Sequence, residues 1–102
     1  MSKRTKAIKS ERSGWNELML RYAQDGKSRK VAELLSLGAD PNYKQGLLLQ
    51  VALYMGKLKV AELALAAGCS KGLDEALKIA DELGYSSIAQ KIADRIVRLG
   101  QR

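Results

Sequence analysis

The sequence predicts an all-α fold, built as a solenoid of helix-turn-helix repeats. One segment is written twice, since residues 26–38 (GKSRKVAELLSLG) and 56–68 (GKLKVAELALAAG) share Val-Ala-Glu-Leu and end on a glycine at the same spacing. An internal repeat with a period of 30 residues (56 − 26) is typical of stacked helical arrays. Apolar residues make up 46% of the 102-residue chain, which contains one proline, so we expect a single folded, largely helical domain.

Residues 1–14 are predicted to form a basic, flexible tail. Five cations and one acid give this segment a net charge of +4 (5 − 1), more than half of the total of +7. The tail is either a solvated lead-in that keeps the protein soluble or an arm for phosphates or an acidic partner. No aromatic residue precedes Trp15, which disfavours an arm that stacks on bases. The charged residues are Lys3, Arg4, Lys6, Lys9, Glu11 and Arg12.

Residues 15–102 are predicted to form the repeat domain, in which each unit opens with a helix that ends at a glycine. Glycine terminates helices because it tolerates positive φ. The first helix is predicted from Trp15 to Ala23, and Arg21 faces water on this terminal unit. The terminating glycines are Gly26, Gly56 and Gly84; seven residues before them stand Met19, Leu49 and Leu77, and four residues before them Tyr22, Ala52 and Ala80.

A second helix is predicted after each of these glycines. Apolar residues recur eight and nine positions beyond the glycine and form one stripe that the neighbouring unit covers. The last helix ends at Gly100 and has a polar outer face that includes Arg95, as a terminal cap requires. The stripe residues are Leu34, Leu35, Ala64, Leu65, Ile92 and Ala93, with Ile88, Ile96 and Leu99 added in the last helix.

The pattern Ala-x-x-Gly at residues 23–26, followed by Gly-Ala-Asp-Pro-Asn at 38–42, resembles the ankyrin repeat. The resemblance implies three degenerate units, at about 15–42, 43–70 and 71–100. The family's Thr-Pro-Leu-His opening is missing, and the glycine spacings of 30 (56 − 26) and 28 (84 − 56) fall short of the family's period of about 33. We therefore expect the projecting fingers after Asn42 and Ser70 to be shortened. Tetratricopeptide and HEAT-like repeats are the alternative, but they give no reason for the Gly-Ala-Asp-Pro-Asn segment.

Catalysis is not expected from this sequence. The chain contains no histidine, the commonest general base and metal ligand. Its one cysteine, Cys69, stands where the family prefers alanine and is predicted to be a buried packing residue. The acidic pairs at 74–75 and 81–82 are adjacent on helices, so their side chains diverge. No glycine loop for phosphate appears. We expect no enzyme activity, no cofactor and no metal.

The resemblance implies a surface that binds another protein. Tyr54 and Met55 are the best anchor candidates, because tyrosine offers a large contact area and methionine adapts its shape. The alternative for Tyr54 is that it covers the edge of the core with its hydroxyl in water. The exposed variable positions of the family fall on eight residues that we predict to bind the partner, Gln24, Asp25, Tyr43, Lys44, Tyr54, Met55, Lys71 and Glu82, and also on Gly72 and Leu83.

A second candidate surface is basic and comes from the repeat itself. Cations follow the first two glycines at the start of the second helices, where the helix dipole disfavours them. They either keep an exposed edge soluble or bind an anion, including nucleic acid. These residues are Lys27, Arg29, Lys30, Lys57 and Lys59.

The leading functional hypothesis is a small ankyrin-like adaptor or inhibitor that binds a protein partner by occupying its surface, including one encoded by a mobile element or pathogen. The alternative is an anion or nucleic-acid binder that uses the tail and the basic residues. We expect a cytoplasmic location, since the N-terminus lacks a secretory signal and one cysteine forms no internal disulfide. No membrane segment is expected. An array this short can also self-associate.

Overall fold

A computed structural model describes the backbone of residues 9–100 and the side chains of residues 14–100. Over this range the secondary structure is entirely α-helical, without a strand, which confirms the predicted all-α class. The helices are α1 (Lys9–Gln24), α2 (Ser28–Leu37), α3 (Tyr43–Tyr54), α4 (Leu58–Ala66), α5 (Leu73–Leu83) and α6 (Ser86–Gly100). Within α3, Lys44, Gln45 and Gly46 have left-handed φ angles of 52°, 60° and 79°, so the regular helix begins after Gly46.

The helices pack as consecutive pairs, α1 with α2, α3 with α4 and α5 with α6. The first helices of the pairs also contact one another in chain order, because α3 lies between α1 and α5. In the same way α4 lies between α2 and α6. Two rows of three helices result, and the described part of the chain measures 47 × 35 × 18 Å.

The turn inside each pair has the same geometry three times. Gly26, Gly56 and Gly84 adopt left-handed φ angles of 74°, 74° and 80°. The amide of the following residue donates to the carbonyl five positions earlier, at 2.9 Å from Lys27, 2.7 Å from Lys57 and 2.9 Å from Tyr85. This is the glycine-dependent closure of a helix C-terminus that the glycine positions predicted.

The loops that join successive pairs start with the same closure. After α2, the amide of Ala39 donates to the carbonyl of Leu34 at 2.9 Å, and after α4 the amide of Cys69 donates to that of Ala64 at 3.1 Å. Residues 38–42 then lead into α3 and residues 67–72 into α5. The loops are therefore short, and both run along one side of the two rows of helices.

The core lies between the two rows and consists of leucines and other aliphatic residues separated by alanines. Met19 and Leu49 are fully buried as predicted, whereas their equivalent Leu77 is half-buried because α5 ends its row. Cys69 is fully buried, which confirms its predicted packing role. Burial raises the pKa of its thiol, which donates a hydrogen bond to the Lys71 carbonyl at 3.6 Å.

Two features differ from the prediction. Helix α1 begins at Lys9 rather than at Trp15, so residues 9–14 of the predicted tail are helical; residues 1–8 lie outside the described part of the chain. No proline interrupts residues 9–14, and the lone Gly14 costs a helix only about 1 kcal/mol. Arg95, expected on the polar face of α6, is half-buried and donates to the carbonyls of Leu65 (2.9 Å) and Cys69 (3.1 Å), where it caps α4.

Candidate partner-binding surface at the turns

The three turns within the helix pairs lie side by side on one edge of the molecule. The side chain of Lys57 crosses the turn before it, since a Cβ atom built on Gly26 would lie 3.0 Å from the Lys57 Cδ atom. Likewise a Cβ atom on Gly56 would lie 3.2 Å from the Tyr85 hydroxyl. The residue after each glycine thus covers the glycine of the preceding unit. We call the surface formed by residues 24–30, 54–59 and 82–87 the turn edge.

Five of the eight predicted partner-binding residues lie on the turn edge, and all five are exposed. Tyr54 leaves 75% of its surface in water and Met55 49%. The alternative role for Tyr54, covering the edge of the core, is therefore wrong, because the end of α3 extends its side chain beyond the helix packing. The residues brought together here are Gln24, Asp25, Tyr54, Met55 and Glu82.

The predicted basic surface lies on the same edge. Lys27, Arg29, Lys30 and Lys59 are exposed, whereas Lys57 is half-buried where its aliphatic stem lies over Gly26. The first turns of α2 and α4 contain no acidic residue. None of the five cations forms an ion pair with residues 14–100. The predicted cations thus lie on the same surface as five of the predicted partner-binding residues.

The other three predicted residues lie at the opposite edge, along the loops between pairs. Tyr43 and Lys44 stand at the start of α3, before its regular helical turns, and so at the end of α3 opposite Tyr54. The exposed side chain of Lys71 stands on the loop before α5. The eight predicted residues therefore do not form a single surface.

The resemblance placed Tyr43 and Lys44 in an exposed finger; Lys44 is exposed, but Tyr43 requires a correction. Tyr43 is half-buried against the core, and its hydroxyl donates a hydrogen bond to the Glu17 carboxylate of α1. The Lys44 ammonium lies 3.5 Å from the same carboxylate and 5.5 Å from the centre of the Tyr43 ring. These side chains hold α3 against α1, because the shortened loop brings the start of α3 next to α1.

The loops at this opposite edge are fixed by a repeated asparagine contact. The Asn16 Oδ1 atom accepts a hydrogen bond from the Asp40 amide at 2.7 Å. In the second loop, the Asn42 Oδ1 atom accepts from the amides of Ser70 (2.8 Å) and Lys71 (3.0 Å). Asp40 and Ser70 are equivalent, two residues beyond Gly38 and Gly68. Each loop between pairs is thus held by an asparagine, which precedes the bonded residue by 24 residues in the first loop and by 28 in the second.

Sequence analysis did not identify Glu17, Asn16, Asn42 or Tyr85 as contact residues. Asn42 carried a signal, since it ends the Gly-Ala-Asp-Pro-Asn segment, and Tyr85 follows a repeat glycine. No local pattern in the sequence indicated Glu17 as a contact residue, because 26 residues separate it from Tyr43. Within residues 14–100 no group of three or more His, Cys, Asp or Glu side chains is placed to hold a metal ion. Of the helices described, none combines the length and apolar character needed to cross a bilayer.

Tyr43→Phe is expected to raise the pKa of Glu17 toward its usual value of 4.5. The Tyr43 hydrogen bond is the largest cause that lowers this pKa, followed by the charge of Lys44. Because the folded-state pKa is lowered, the carboxylate stabilises the fold above pH 4.5, and this contribution is lost as the pH falls through the lowered value. An NMR titration of the Glu17 side chain measures the shift. An unchanged pKa in the variant would contradict the hydrogen bond.

The fold and the turn edge define a small all-α protein with exposed aromatic, aliphatic and basic side chains on one edge. No protein-family model matches the sequence, and neither the curated proteins nor the solved structures include a significant match to it.

Proposed function

We propose that this protein is a helical-repeat binding module of the ankyrin-like type, an adaptor or inhibitor that binds a partner protein through its turn edge. Two kinds of contact recur with the period of the sequence and support the repeat: the left-handed glycine turns and the side chain that crosses the previous glycine. The short loops 38–42 and 67–72 stand where the family has projecting fingers. The units are about 15–42, 43–70 and 71–100.

The exposure of Tyr54 carries the functional proposal. A tyrosine with 75% of its surface in water makes no contribution to the core, and Met55 beside it is half exposed. Burial of such side chains against a partner is favourable, and aromatic anchors dominate the energy of many interfaces. The module acts by occupancy, since the turn edge contains no pair of groups arranged for acid-base or nucleophilic chemistry.

The double variant Tyr54→Ala/Met55→Ala is expected to lose capture of the native partner while it keeps its fold. An anchor of this kind contributes about 2 kcal/mol or more, which weakens binding by about 30-fold. Affinity capture from the native cell, with mass spectrometry of the bound protein, provides the partner; titration of the two forms with that partner provides the ratio. Urea unfolding of both forms verifies that stability is unchanged.

Leu37→Ala is the matched control, because Leu37 is an equally exposed apolar residue at the far end of α2. It should leave capture unchanged. Undiminished capture by the double variant would eliminate the turn edge as the contact surface.

Anion or nucleic-acid binding is the alternative function, supported by the five cations on the same edge, none of which pairs with an acidic side chain of residues 14–100. Binding to phosphates weakens steeply as salt rises. Absence of binding to DNA and RNA at low salt would eliminate this alternative.

A further inference from the structure

The first two turns of the turn edge carry an excess of positive charge, which the acidic side chains of the described residues do not pair with. In the turn-edge segments 24–30 and 54–59, five cations stand beside one acidic side chain, Asp25. The third unit is different, since Asp81 and Glu82 stand near its turn and Tyr85 and Ser87 replace the cations. The edge is therefore basic along the first two turns and acidic at the third.

Apolar side chains occupy the boundary between the basic and acidic parts. Tyr54 and Met55 end α3, and Leu83, at the position equivalent to Met55, is 47% exposed at the end of α5. Tyr85 connects the two turns, because its hydroxyl lies over Gly56. Leu58, 37% exposed, begins the next helix on the same edge. The turn edge thus combines an apolar centre with a basic side.

Two occupants from the protein itself fit this edge poorly. The N-terminal segment 1–14 has a net charge of +4, so it is repelled by the basic side. A second copy packed in the same direction would place basic turns against basic turns and bury like charges. Packed in the opposite direction, it would still place the middle turn, with Lys57 and Lys59, against its own copy. Nucleic acid would satisfy the cations but would leave Met55 and Leu83 without apolar contacts.

We infer that the turn edge binds a segment of a partner protein in which an apolar anchor is preceded or followed by acidic residues. The anchor contacts Tyr54, Met55 and Leu83, and the acidic residues lie over the cations of the first two turns. The acidic third turn sets the direction, because it repels the acidic end of the segment. This inference rests on the proposed function and specifies the partner that the surface fits.

Selection of random short peptides displayed on phage, against the full chain, tests this inference. We expect the enriched peptides to be net acidic and to contain an aromatic residue or leucine beside the acids. The best peptide, labelled with a fluorophore, is then titrated by anisotropy at low and high salt. Tyr54→Ala/Met55→Ala should weaken it by about 30-fold.

Removal of the charges tests the electrostatic part separately. Lys27→Ser/Arg29→Ser/Lys59→Ser should weaken the peptide by about tenfold at low salt and flatten its salt dependence, since rim charges act mainly through long-range attraction. Lys78→Ser, which removes an exposed cation from the middle of α5 away from the turns, is the control and should leave binding unchanged.

The outcomes separate this inference from the proposed function. Enriched peptides without an acidic excess that still require Tyr54 and Met55 would overturn the inference and leave the proposed function standing. Peptides that bind the double variant and the natural chain with equal affinity would overturn both the inference and the proposed function. If no peptide is enriched, or if an oligothymidylate binds through the same cations and no peptide does, an acidic protein segment is not the ligand.

Discussion

Gly46→Ala is expected to destabilise the protein by about 2–5 kcal/mol, a large fraction of the stability of a small domain. Gly46 adopts a left-handed φ of 79°, which costs an alanine about 1–2 kcal/mol. An added Cβ atom would also lie 2.1 Å from the Lys71 carbonyl oxygen and 3.0 Å from its carbonyl carbon. Relief of such a clash in a packed region costs a further amount of about 1–3 kcal/mol.

The backbone opposite Gly46 has little freedom to move away. The Lys71 amide is held by the Asn42 side chain, and the next residue, Gly72, is itself left-handed with a φ of 67°. A Cβ atom on Gly72 would lie 2.2 Å from the Gln45 carbonyl oxygen. The two loops therefore approach each other at two glycines, one on each side, and neither glycine leaves room for a side chain.

Gly84→Ala is the matched control, because Gly84 has nearly the same φ, 80°, and no atom within 4 Å of an added Cβ. Gly84→Ala should lower the free energy of unfolding only by the cost of a left-handed φ in alanine, about 1–2 kcal/mol. Urea unfolding followed by circular dichroism measures both losses. Equal losses in the two variants would show that the loops do not approach as closely as described.

Much of the fold could be predicted from the sequence, because the information is local. A glycine that ends a helix needs only its own left-handed φ and the carbonyls of the preceding turn, so Gly26, Gly56 and Gly84 marked three turns correctly. The apolar positions before them, such as Met19 and Leu49, followed from helical periodicity and are fully buried.

The remainder depends on contacts between distant residues. The contacts of Tyr43 and Lys44 with Glu17 are of this kind, because no spacing in the sequence indicates that pairing. The capping of α4 by Arg95 arises in the same way from residues far apart in the chain. The apolar and basic candidates lie on one edge because the three turns stack side by side. The sequence positions of the exposed residues do not by themselves indicate that stacking.

Leu49→Ala is expected to cost about 2–5 kcal/mol, the usual loss for a leucine in a fully packed site. Leu49 is completely buried in α3, which packs against α1, α4 and α5. Helices on three sides restrict collapse around the missing side chain, so a cavity remains and the loss lies toward the upper end. Urea unfolding should show a lower midpoint with an unchanged slope, since the surface exposed on unfolding is almost the same.

Leu77→Ala tests the same repeat position in the last unit. Leu77 stands seven residues before Gly84, as Leu49 stands seven before Gly56, but it is only half-buried because α5 has no further helix beyond it in its row. Truncation there removes fewer contacts and leaves a site open to water, so we expect a loss below about 2 kcal/mol. A loss as large as that of Leu49→Ala would mean that another surface covers α5, and a concentration-dependent unfolding midpoint would identify that surface as a second copy of the chain.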